Sequence, residues 1–157
     1  MNAAAIDFMA EIRAMTTDDV AAVIAIENRA YEYPWSEKIF HDCLVAGYHG
    51  VVLHMQGTIR GYAMLSVAVG EAHLLNICID PDLQQHGFGR LLLNYLMEKA
   101  KVLGGRQMFL EVRPSNESAR YMYESAGFNE VGLRKNYYKS ENGHEDAIVF
   151  AKELVFS

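Results

Sequence analysis

The spacing of apolar residues changes period along this chain, and each change marks the edge of an element. Leu74 to Ile79 is a short apolar run, and Glu71 to Ile79 around it reads as a strand. Asp80-Pro81 and a polar glycine turn follow. Then Leu91, Leu92, Tyr95, Leu96, Lys99 and Leu103 fall at helical spacing, which predicts a helix from Phe88 to Leu103 stopped by Gly104-Gly105. Gln107 to Val112 returns to period two, with Met108, Leu110 and Val112 on one face and Phe109, Glu111 and Arg113 on the other. Strand, crossover helix and strand make a parallel pair, and ligands of such units sit beyond the carboxyl ends of the strands. Both the glycine turn and Glu111 are expected at that end.

The flanking segments are read the same way. Glu11 to Ala14 predicts a short first strand, and Thr16 or Thr17 caps a helix striped by Val20, Val23, Ile24 and Ile26, which Pro34 ends. Ser36 caps a second helix from Glu37 to about Ala46. Tyr48 to Met55 and Ile59 to Val69 form a hairpin around Gln56-Gly57-Thr58. Beyond Pro114, Ser115 or Asn116 caps a helix to Ala126, with Ala119, Tyr123 and Ala126 on one face. Asn129 to Tyr138 and Ala147 to Leu154 read as two antiparallel strands joined by a polar loop, Lys139 to Asp146. No repeat, linker or low-complexity stretch divides the chain, so a single domain spanning 1–157 is expected, a mixed α/β sheet covered by helices.

Composition narrows the function. With 51% hydrophobic and 22% charged residues the chain is globular, and a net charge of -6 argues against nucleic acid while suiting a basic partner. Solubility alone accounts for that charge equally simply. Cys43 and Cys78 lie in apolar settings without metal-ligand spacing, which points to free thiols in a cytoplasmic protein. Histidines 41, 49, 54 and 73 share no ligand pattern either, so they are read as structural or exposed and no metal is expected. Met1 to Ala10 lacks the flanks of a signal peptide, and no run is long enough to cross a bilayer.

The candidate chemistry begins at the glycine turn. Amides at a helix mouth point toward an anion, and Gly87 and Gly89 let backbone approach it closely, although glycine before a helix is also an ordinary turn device. A carboxylate such as Glu111 at the ligand end of an apolar strand suits a general base, or else pairs with Arg113 or a lysine. Tyr123 suits an acid, since a phenol keeps its proton at neutral pH, or else packs between helix and sheet. Tyr31, Tyr33 and Trp35 form an aromatic cluster on a connection, either core under a loop or the wall of an acceptor site.

Gln84, Gly87 and Gly89 match Q/R-x-x-G-x-G/A after a strand and before a helix. Asn116, Ala119, Tyr123, Gly127 and Phe128 then match N-x-x-A-x-x-x-Y-x-x-x-G-F. In this order the two motifs resemble the GNAT acetyltransferases over nearly the whole chain. Within that superfamily, Tyr33-Pro34-Trp35-Ser36-Glu37, Leu110-Glu111-Val112-Arg113 and Arg134-Lys135-Asn136-Tyr137-Tyr138 are most similar to the RimI family of ribosomal-protein-alanine N-acetyltransferases. The resemblance implies a mixed, mostly antiparallel sheet with a central parallel pair, flanked by helices. It implies acetyl-CoA as co-substrate, with pantetheine along Ile77, Cys78 and Ile79. The diphosphate would lie on the loop of Gln85, His86, Gly87, Phe88, Gly89 and Arg90, with the motif residue Gln84 also at the cofactor site and Asn116 near the cofactor. Many relatives carry arginine where this chain has Gln85 or His86, which shifts the burden to the amides and Arg90.

The resemblance further implies Glu111 as base, Tyr123 as acid, and Trp35, Tyr137 and Tyr138 beside the acceptor. That acceptor would be the N-terminal alanine of the basic ribosomal protein S-eighteen. Charge and hydropathy lead us to expect no nucleic-acid or membrane partner, and a monomer is expected. Two alternatives stay open: acetylation of lysine side chains or a small amine, and a non-catalytic acyl-CoA-binding sensor.

Overall fold

The structure is a computed structural model, and it describes residues 10–154. The segment read above for a signal peptide lies, except for Ala10, outside the described residues. Seven strands make one sheet in the order β1-β2-β3-β4-β5-β7-β6, with a single parallel pair, β4 and β5, among the pairings seen. The strands are β1 (Ala10–Ala14), β2 (His49–Met55), β3 (Thr58–Ala68), β4 (Glu71–Ile79), β5 (Gln107–Val112), β6 (Asn129–Ser140) and β7 (Gly143–Glu153). The helices are α1 (Val20–Ala30), α2 (Glu37–Val45), α3 (Phe88–Val102) and α4 (Glu117–Ser125). Contacts divide the chain into two compact units: residues up to Ser66 together with Leu75–Leu96, and Val67–Leu74 together with everything from Met97.

In the first unit β1 pairs antiparallel with β2, from Ala10 opposite Met55 to Ala14 opposite Val51. Gln56 and Gly57 both take positive φ, 53° and 82°, between the paired Met55 and Thr58. That is the two-residue turn whose twist matches a hairpin. A buried cluster of Met15, Val20, Val23, Ile26, Phe40, Val52, Tyr62, Met64 and Cys78 gathers the apolar stripe of α1 and one face of the strands. Thr16 opens the first helical turn as expected: its amide donates to the Asp19 carboxylate at 2.8 Å, and Arg13 donates to the same group at 2.8 Å. The hydrogen bond from Arg13 is the main reason the Asp19 carboxyl is held down at about 2. Ser36 caps α2 by accepting from the Ile39 amide.

Glu27 is the buried polar centre of this unit. Its carboxylate accepts from the Trp35 amide at 2.8 Å, the Tyr62 hydroxyl at 2.6 Å and the Asn76 side-chain amide at 3.0 Å. A buried carboxylate is tolerated only when donors replace its water. These three tie α1 to the Trp35 connection, to β3 and to the far half of β4.

In the second unit Glu71–Leu74 of β4 runs parallel to Gln107–Leu110 of β5, and β5 pairs antiparallel with β7. Met108, Leu110 and Val112 are buried, as the alternation predicts, together with Ala147, Ile148 and Phe150 of β7 and Tyr123 and Phe128. The β6–β7 hairpin departs from the sequence reading. The strands are longer than expected and close directly, with Ser140 opposite Gly143, so most of the segment expected to be a polar loop is ladder. Most of β6 is exposed, and a strand without a buried face carries no apolar alternation to reveal it. Its register also slips between Arg134 and Tyr138, where Asn136 takes φ +55° and its amide donates to Asp146 at 2.9 Å. This bulge re-aims the side chains of β6.

Candidate functional site

The first group of expected residues lies in the first unit, where β4 meets α3. Asp80 ends the strand and is buried by its partners: Arg29 at 2.9 Å, Arg60 at 3.2 Å and the Asp82 amide at 3.0 Å. Burial alone would raise this carboxyl, yet the hydrogen bonds from Arg29 and the Asp82 amide hold it below its ordinary value. Gln84 turns its side chain back and donates to the Ile79 carbonyl at 3.1 Å, so it fixes the turn to the strand end. The Ile77 carbonyl accepts from the Tyr31 hydroxyl at 3.0 Å. Gln85 and Gly87 take positive φ, 65° and 87°, and a Cβ at Gly87 would meet open space.

The first helical bond across the turn runs from the Leu91 amide to the Gly87 carbonyl at 3.0 Å. Amides ahead of it belong to the helix mouth, where the dipole favours an anion. Phe88 contributes there only through its backbone, because its ring is 1% exposed and belongs to the core. The exposed His86 places Nδ1 2.9 Å from the Gln84 carbonyl, which stiffens the turn. Arg90 sits in the first turn of α3 and bonds Asn94 at 3.1 Å. Cys78 is buried, and burial pushes its thiol up to about 11, so it stays protonated at neutral pH and is no nucleophile. Trp35 packs its ring on Phe40 at 5.2 Å beside the core cluster, which makes it partly a packing residue.

The second group lies in the second unit. The Glu111 side chain is 7% exposed, with one oxygen 2.6 Å from His73 Nε2 and the other 3.4 Å from Arg134. Burial pushes this carboxyl up, but the bond to His73 and the charge of Arg134 outweigh it and leave the group below its usual value. Arg113, one of the expected partners of Glu111, goes elsewhere: it bonds Glu145 at 3.2 Å and the Lys139 carbonyl at 2.9 Å and stacks over the Tyr138 ring at 4.3 Å. Arg113 stands one residue beyond the end of β5. His73, read above as structural or exposed, is paired with Glu111, a contact the sequence reading did not draw. It stands level with Phe109 in the parallel ladder, and Glu111 is the next residue on that face. The parallel pairing read from the sequence is the signal that could have found it.

Tyr123 is buried on α4, edge-on to Phe128 at 5.7 Å, and burial, then the neighbouring Tyr138, raises its phenol well above the ordinary range. Asn116 caps that helix, its side-chain oxygen accepting from the Ala119 amide at 3.2 Å. Tyr137 and Tyr138 meet edge to face at 4.8 Å, and the Arg134 guanidinium lies 5.5 Å from the Tyr137 ring. Among the described residues no group of three His, Cys, Asp or Glu could hold a metal ion, and no helix is long and apolar enough to cross a membrane.

The family model described as acetyltransferase (GNAT) family matches residues 20–128. The ribosomal protein bS18-alanine N-acetyltransferase of Salmonella typhimurium is 42% identical over 143 residues, covering 91% of this chain and 97% of that one. The crystal structure of the corresponding Escherichia coli ribosomal-protein alanine N-acetyltransferase superposes with a TM-score of 0.88 at 40% identity, covering 95% and 96% of the two chains. A Salmonella typhimurium structure with acetyl-CoA as its cofactor shares the fold at TM-score 0.78 and 19% identity, covering 95% and 96%.

Proposed function

We propose that this chain, which belongs to the acetyltransferase (GNAT) family, acetylates the N-terminal alanine of ribosomal protein bS18 with acetyl-CoA as donor. The observation that carries the acceptor is the 42% identity to the Salmonella typhimurium bS18-alanine enzyme over almost its full length. The whole chain serves as one acetyltransferase domain, working as a monomer in the cytoplasm. Its net charge of -6 suits a basic ribosomal protein.

The helix mouth fits the donor. Open space at Gly87, positive φ at Gln85 and Gly87 and a cation at Arg90 suit a diphosphate. In this reading Gln85 to Arg90 hold the diphosphate, Gln84 fixes their turn, Ile77 to Ile79 lie along pantetheine, and Asn116 is assigned to the cofactor by the family motif. When bound, acetyl-CoA supplies a thioester-activated acetyl group. Trp35, Tyr137 and Tyr138 receive the acceptor peptide.

The amine must lose a proton as it attacks, and the departing thiolate must gain one. An α-amine has a reference pKa of about 7.7–8.0 against about 10.4 for lysine, so a modest base is enough for an N-terminal acceptor. Glu111 supplies that base. Tyr123 supplies the acid, since a phenol keeps its proton at neutral pH and can give it to a thiolate leaving group.

The test is an acetyl-CoA assay with a peptide beginning Ala-Arg and the same peptide with its N-terminus blocked. Acetylation of the first alone is expected. Equal labelling of both, through internal lysine, would move the reading to a lysine acetyltransferase. Mass spectrometry of ribosomal proteins from cells with and without the chain should show one lost N-terminal acetyl group.

A further inference from the structure

We propose that the base is a pair: Glu111 fixes the imidazole of His73, and His73 Nδ1 takes the proton from the acceptor amine. This rests on the acetyl-transfer reading above and deepens its base. At 2.6 Å a proton lies between His73 Nε2 and the Glu111 oxygen. A carboxylate only accepts, so that proton belongs to Nε2, and in the neutral imidazole the lone pair then sits on Nδ1.

Exposure divides the roles. The Glu111 side chain is 7% exposed and that of His73 33%. The inner group is held, and the outer one can meet an amine or water. Glu111 is faced by His73 from β4 and by Arg134, Tyr137 and Tyr138 from β6. Despite burial, the Glu111 carboxylate is held below its ordinary value by His73 and Arg134, which already engage it, whereas the second ring nitrogen of His73 keeps a lone pair to offer an amine. The arrangement follows the orienting-carboxylate logic of a catalytic triad, with an amine in place of a serine.

The step balances. The amine nitrogen bonds to the acetyl carbon, its N–H bond breaks and the proton forms an N–H bond at Nδ1. The carbon–sulfur bond breaks and the thiolate takes the Tyr123 proton. The imidazolium then releases its proton to water, and water restores the phenol.

His73→Gln is the discriminating variant, because its amide can still donate to Glu111 but offers no basic nitrogen. With the alanine-starting peptide, kcat is expected to fall about 100- to 10,000-fold, the range of a lost general base. The KM for acetyl-CoA should stay within about twofold, and the acid limb of the kcat/KM profile should change shape. His73→Ala should fall similarly and regain part of its rate with added imidazole. Wild-type kcat and an unchanged pH profile in His73→Gln would overturn the pair. Glu111→Gln separates the two readings: if its turnover is normal, the Glu111 assignment itself fails. A readout independent of any acceptor is the ¹⁵N spectrum of His73. The Nε2–H tautomer should dominate in the wild type and lose that bias in Glu111→Gln, and a dominant Nδ1–H form in the wild type would sink the proposal.

Discussion

Residue by residue, the charges of this protein are held by specific partners, and two of them make sharp tests. Glu111→Gln keeps the shape and a hydrogen-bond acceptor but removes the charge. If the carboxylate takes the proton itself or orients His73 to take it, turnover should drop about 100-fold or more, while acetyl-CoA affinity measured by calorimetry stays within about twofold. Asp19 tests stability instead. Its carboxyl is held down at about 2, so the stabilisation is fully present above the unfolded carboxylate value near 4 and is lost as pH falls from there toward 2. Because Arg13 is half exposed, solvent screens the pair, and Asp19→Asn should cost about 1 kcal/mol at pH 7, the scale of a lost helix cap. Thermal melts of the two proteins should differ at pH 7 and converge near pH 2. Glu111 and Tyr123 were singled out in the sequence by the family motifs they match and by their places, a carboxylate at the ligand end of β5 and a tyrosine on one helix face with Ala119 and Ala126. His73 was not, since its partner stands 38 positions away and only the register of a parallel pair brings them together.

Among the elements, legibility followed burial. The bounds of β4 and β5 are those the apolar pattern predicts, and α3 ends within a residue of its expected stop, because a half-buried element must declare its face. The β6–β7 hairpin shows the reverse: a solvent-facing ladder of polar residues reads as loop. Where α3 begins, Gly87 has φ +87° and open space where a Cβ would stand. Gly87→Ala should therefore strain the backbone by about 1 kcal/mol and put a methyl group against the donor's diphosphate. Acetyl-CoA dissociation by calorimetry should weaken about tenfold or more, with little change in kcat at saturation. Glu27 is the corresponding test for α1. Glu27→Ala leaves the Trp35 amide, the Tyr62 hydroxyl and the Asn76 amide without their acceptor, and each buried orphan costs about 1–3 kcal/mol. A loss of about 3 kcal/mol or more in urea unfolding is expected, whereas a loss under 1 kcal/mol would mean that water replaces the carboxylate.

For the whole molecule the property that acts at a distance is charge. A net charge of -6 over 157 residues sets a field that draws a basic acceptor and leaves a neutral one unaffected. Screening shortens that field from about 10 Å at 0.1 M salt to about 3 Å at 1 M. If bS18 is the acceptor, kcat/KM for its basic N-terminal peptide should fall several-fold as salt rises over that range, through KM rather than kcat. A peptide with the same first two residues and a neutral remainder should begin lower and change little. Both peptides carry the same terminal amine, so the difference between their salt slopes isolates attraction from chemistry. Equal slopes would mean that the acidic surface serves solubility and that recognition ends at the first residues of the acceptor.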